Sequence, residues 1–164
     1  MTFALDGRLA ANCLPVGGFG LSRLLLMNDA AYPWLILVPE RPGISELFEL
    51  DAADLATLAA ETALVAGMLK ALMTAEKINV AALGNVVAQL HVHVIARFTA
   101  DPAWPAPVWG RTPAHPYATE AAAQMLNRIG SALQALSAAP AAGDPVAKAS
   151  PAERVAATWQ LLTP

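Results

Sequence analysis

Leu83-Gly84-Asn85-Val86-Val87-Ala88-Gln89-Leu90-His91-Val92-His93-Val94-Ile95 is the stretch on which the reading of this chain turns. Gly84 and Asn85 tolerate positive φ and suit a turn, and the run after them alternates polar with apolar residues. A period of two puts Gln89, His91 and His93 on one face of a strand and Leu90, Val92 and Val94 on the other. Burying imidazoles without partners costs free energy, so something polar is expected to meet them. A solvated sheet face has the same alternation, and neighbouring histidines on a strand can also hold zinc. A third ligand for zinc is hard to find, because His115 is the remaining histidine and Gln89 and Asn85 are unusual ligands.

Outward from the motif, residues 78–83 and 89–97 read as two antiparallel strands joined across Gly84-Asn85. Upstream, residues 20–27 read as a strand ending in a turn at Asn28-Asp29, and residues 34–38 (WLILV), between Pro33 and Pro39, as a strand covered on both faces. Leu55, Leu58, Thr62, Val65, Leu69 and Leu72 recur at helical spacing, with Asp51 and Asp54 at the acid-favouring start, which predicts a long helix over residues 51–76. Pro102, Pro105, Pro107, Pro113 and Pro116 make residues 101–116 an ordered surface loop, which Trp104 and Trp109 are expected to pin down. Ala122, Met125, Leu126, Ile129, Leu133 and Leu136 trace a second helix from Thr119. A flexible stretch over 137–145 ends it, and Ser150-Pro151-Ala152-Glu153 has the capping-box spacing of a closing helix through Leu161.

The expected class is α+β: an antiparallel sheet carrying a long helix, with C-terminal helices. Residues 1–118 form the main domain in this reading and 119–164 a helical extension.

The chain has 164 residues and a net charge of -3, so it carries no field to draw an extended nucleic acid. It is 56% hydrophobic and 14% charged, which argues against disorder, and much of the apolar content is alanine. No run of about 18 consecutive apolar residues is present, so no membrane partner is expected. Residues 1–9 lack a secretory pattern and Cys13 is the single cysteine, which together read as a cytoplasmic protein with a core thiol.

Residues 83–95 resemble the signature of the histidine-triad (HIT) family, in which three histidines alternate with apolar residues. The resemblance extends over about residues 20–98. It implies a domain, often dimeric, that hydrolyses or transfers nucleotidyl groups from nucleoside phosphate derivatives without a cofactor or metal. His91 falls on the family's nucleophile, and His93 on a donor to phosphate oxygen. Asn85 and the Gly84 turn would hold the same phosphate, and Asn28 lies where a ribose contact would be sought. Arg97, on the same face if the strand stays regular, is a candidate for phosphate or for a structural ion pair. Gln89 stands where the first histidine belongs; it can hydrogen-bond but cannot exchange a proton near neutral pH. The expectation is therefore a nucleotidyl hydrolase or transferase on a small nucleotide or phosphate ester. A binding module of the same fold that has lost turnover is the rival, and a metal-dependent hydrolase the third reading.

Overall fold

A continuously apolar strand is stable only when covered on both faces, and Trp34–Pro39 (β3) is buried along its whole length. In the computed structural model, which describes residues 2–138 and 155–161, β3 lies inside a six-stranded antiparallel sheet. With Cys13–Gly18 (β1), Ser22–Met27 (β2), Lys77–Ala82 (β4), Val92–Arg97 (β5) and Gln160–Leu161 (β6), the order is β4-β5-β3-β2-β1-β6. This is the α+β architecture expected from the sequence.

Pleat alternation divides the apolar residues between two cores. On one face Leu24, Leu26, Leu35, Leu37, Val92 and Val94 pack against Leu58, Val65 and Leu69 of the helix Ala52–Met73 (α2), and Ile129 and Leu133 of Thr119–Ala138 (α3) join them. On the other, Leu25, Ile36, Val38 and Ile95 meet Leu9 of the short helix Gly7–Asn12 (α1), Cys13, Tyr32, Trp34, Val87, Ala103 and Val108. That second face is roofed by the N-terminal segment and the proline-rich loop rather than by a long helix, which leaves room for a cavity.

Helix α2 is long and apolar enough to span a bilayer by length and composition alone, yet here it lies along the sheet. Its inner face includes Glu61, fully buried, whose Oε1 accepts the Leu21 N–H at 3.0 Å. Burial pushes this carboxyl up, against the opposing influence of the polar groups of Ser22 and Leu21 beside it. Asp51 caps α2 through the Asp54 N–H, as the acidic start suggested.

Several boundaries differ from the sequence expectation. The strand expected over 20–27 begins at Ser22, and the one expected over 89–97 begins at Val92. Gln89 and His91 therefore precede the ladder, because the Leu90 N–H bonds to the Ile44 carbonyl and the Gln89 side chain bonds elsewhere. The alternation of faces survives this: Leu90, Val92 and Val94 face α2, while His91 and His93 face the opposite side.

Strand β1 had no counterpart in the sequence reading, since Pro15, Gly17 and Gly18 look like turn residues. They are instead accommodated by a register shift between Pro15 and Gly17. Gly17 also lies beneath the Trp159 ring, where a β-carbon would come within 2.3 Å of the indole. The closing helix is corrected at its end: Val155 and Ala156 are helical, but the helix stops there instead of running through Leu161, and Gln160–Leu161 extends along Gly17 and Gly18 as β6. Seating Trp159 on Gly17 and Phe19 requires extended chain there. The capping-box residues Ser150 to Glu153, and residues 139–145 of the expected flexible stretch, lie outside the described residues; Ser137 and Ala138 still belong to α3.

Candidate active site

A turn that leaves His91 just ahead of β5, and β5 itself, aim both imidazoles into a cavity of about 220 Å³. The walls are mostly apolar, from Leu9, Cys13, Met27, Trp34, Ile36 and Trp109, with Arg8, Asn12 and Asn85 as polar members. The two histidine rings meet edge to face with centroids 4.7 Å apart.

Hydrogen bonds fix the state of each ring. His91 Nδ1 lies 2.7 Å from the Gln89 carbonyl oxygen. A carbonyl only accepts, so Nδ1 carries the proton, and in the neutral ring Nε2 is the nitrogen with the lone pair. His93 has the reverse arrangement: its Nδ1 accepts the Trp34 indole N–H at 2.9 Å, which leaves Nε2 as the protonated nitrogen. Trp34 and Trp109 wall it in, both edge to face. Burial pushes the His93 imidazole down to about 3, with repulsion from a protonated His91 adding to the shift and the nearby Leu83 backbone opposing it. Burial likewise pushes the Cys13 thiol up to about 11, so Cys13 lines the cavity as a thiol and not as a thiolate.

The depressed value for His93 has a consequence for stability. Between about 6.5 and 3 the unfolded chain binds a proton that the folded chain does not. This contribution is complete above the unfolded value and is lost as pH falls below it. Denaturant midpoints are expected to show a loss of about 2 kcal/mol between pH 7 and pH 5 from this group. His93→Gln should flatten that slope, and an unchanged slope would show that His93 is not the group responsible.

The residues singled out from sequence separate in space. His91, His93 and Asn85 line the cavity, with Gly84 beside them in the turn. Gln89 faces away, bonded to the backbone of Asp6 and Ala4. Asn28 Oδ1 accepts the Tyr117 N–H and so anchors the proline-rich loop. Arg97 does fall on the histidine face, but it is buried and engaged with Asp101, Asn79 and the Ala106 carbonyl. Trp109 both pins its loop and covers the site, meeting Trp34 and His93 edge to face with centroids 5.6 and 5.3 Å away. Trp104 stays partly exposed, with the Arg97 guanidinium over its ring.

Arg8, Asn12 and Trp34 were not anticipated. Only Trp34 carried a local signal, as the large aromatic that opens an otherwise aliphatic strand. Among the described residues no three His, Cys, Asp or Glu side chains converge as a metal site.

Comparison with known proteins gives one consistent picture. The HIT domain family model matches residues 11–100. A histidine triad (HIT) protein from Sinorhizobium meliloti 1021 is 54% identical, over 78% of this chain and 95% of that one, with a TM-score of 0.77. A histidine triad protein from Marinobacter aquaeolei VT8 is 42% identical, over 82% and 98%, with a TM-score of 0.80. One from Bradyrhizobium japonicum is 40% identical, over 79% and 96%, at 0.77. No curated protein matches the chain.

Proposed function

The chain belongs to the HIT-domain family, and on that premise we propose that it is a hydrolase or transferase of nucleoside phosphate derivatives that works through His91. The observation that carries this reading is the bond from His91 Nδ1–H to the Gln89 carbonyl, which makes Nε2 the lone-pair nitrogen of the neutral ring, at the cavity. Nε2 attacks the α-phosphorus, the bond to the leaving group breaks, and a nucleotidyl-histidine forms; water or another acceptor then attacks the same phosphorus and frees Nε2. Arg8, the cationic side chain among the cavity's lining residues, and Asn85 stabilise the phosphoryl oxygens in this reading, and His93 donates to them from Nε2. Gln89 has no proton to give, so phosphoanhydrides and phosphoramidates need testing side by side.

The test is to quench the protein during reaction with adenosine phosphoramidate or a dinucleoside polyphosphate, then map the adduct by mass spectrometry. A nucleotidyl group on His91 is expected. The competing reading, a module that binds nucleotide without turnover, draws on the Gln89 amide being committed to the N-terminal segment. Binding of AMP by calorimetry with neither adduct nor product would favour it.

The reading includes a homodimer. Strand β4 is a sheet edge on which Val80 is half-exposed, and beside it Leu47, Leu55, Ala59 and Ala66 line an apolar groove. An open apolar edge seeks a strand, and a second copy supplies the same edge in antiparallel register across a two-fold axis. Sedimentation equilibrium is expected to give a dimer for the native chain and a monomer for Val80→Lys; a native monomer would remove this part of the reading.

A further inference from the structure

Gln89 is held at both ends of its residue. Its backbone carbonyl accepts the His91 Nδ1–H, while its side-chain Oε1 accepts the Asp6 N–H and its Nε2 donates to the Ala4 carbonyl, both at 2.9 Å. Bonding residues i and i+2 of one extended stretch is what a neighbouring strand does. A primary amide can imitate it because it presents donor and acceptor side by side, and imidazole carries them on diverging bonds.

The segment so gripped is itself well anchored. Asp6 caps α1 by accepting the Arg8 N–H at 2.8 Å, Leu9 is buried in the core on the histidine face, and Phe3 and Leu5 pack against that core. Arg8 Nη1 donates to the Val86 carbonyl, so the segment crosses the motif loop twice, once at Gln89 and once at Val86. From the second crossing onward it contributes Arg8, Leu9 and Asn12 to the cavity wall.

From this geometry we infer that Gln89 is a positioning residue, whose amide ties the N-terminal segment to the one carbonyl that sets the His91 tautomer. The inference rests on His91 being the nucleophile. It also accounts for a glutamine in the motif: an amide that does not titrate holds the strap at any pH, whereas protonating an imidazole there would remove its acceptor. A carbonyl displaced by a fraction of an ångström misdirects Nε2 without closing the cavity, so the effect belongs on kcat more than on KM.

Two variants test it, Gln89→Met, which keeps the length and removes both bonds, and Gln89→Glu, which keeps the acceptor for Asp6 and loses the donor for Ala4. In Gln89→Met the Asp6 amide is expected to exchange with solvent at least about tenfold faster. The His91 imidazole ¹⁵N shifts should move from a single Nδ1–H tautomer toward a mixture, and kcat should fall about tenfold with KM changed less than about threefold. Gln89→Glu should fall between Gln89→Met and the native protein in Asp6 exchange. Exchange and nitrogen shifts are read without substrate, so a native chain that turns over no nucleotide would retire the catalytic reading alone. If Gln89→Met leaves both the Asp6 exchange rate and the His91 shifts as in the native protein, the positioning role is overturned.

Discussion

His91→Ala is expected to lower kcat by at least about a thousandfold, a loss of roughly 4 kcal/mol in transition-state stabilisation. The size follows from the site's inventory. In the neutral His91 ring the Gln89 carbonyl holds the Nδ1–H and Nε2 has the lone pair, whereas on His93 the unprotonated nitrogen is already filled by the Trp34 N–H. Cys13 cannot stand in, since burial keeps its thiol protonated. His93→Gln should cost less, because a neutral ring that braces its neighbour contributes orientation and not the new bond. Steady-state rates on a dinucleoside polyphosphate and on a phosphoramidate check this. Free imidazole should restore part of the activity of His91→Ala by occupying the space the ring leaves. A variant that kept more than about a tenth of native kcat would exclude covalent catalysis at His91.

Arg97→Met is expected to destabilise the protein by about 3–5 kcal/mol, more than any other single change considered for the fold. Arg97 is 1% exposed and reaches both oxygens of Asp101, at 2.7 and 3.0 Å, as well as Asn79 Oδ1 and the Ala106 carbonyl. Burial pushes the Asp101 carboxyl up, but Arg97 and the N–H groups of Phe98 and Ala103 more than offset this and hold it below the usual range. Removing the guanidinium leaves a buried carboxylate whose partner is gone.

The consequence reaches the site, because Asp101 organises the start of the loop that carries Trp109 onto Trp34 and His93. Urea melts should report the loss, and tryptophan emission should shift to the red as Trp109 comes away. The double variant Arg97→Met with Asp101→Leu should recover a large part of the stability by removing the stranded charge along with its partner. A cost below about 1 kcal/mol for Arg97→Met would mean that the pair does not hold the loop.

The local pattern alone determined a good deal. The apolar run of β3, the helical spacing of α2 and α3, and the turn at Gly84 were legible because each depends on a period read within a few residues. The alternation from Leu90 to Val94 likewise placed His91 and His93 together, opposite the α2 core, even though the strand starts later than the pattern suggested.

Tertiary structure decided what depends on partners remote in the chain. Strand β1 was not legible because its one proline and its glycines are accommodated by a bulge and by Trp159, more than a hundred residues away. The fate of Gln89 depended on Ala4 and Asp6, that of Arg97 on a loop whose conformation no periodicity encodes, and the tautomer of His93 on Trp34 of another strand. Periodicity reports which way a side chain points; the bond that fixes its protonation or commits it to structure is made by whatever the fold brings to meet it.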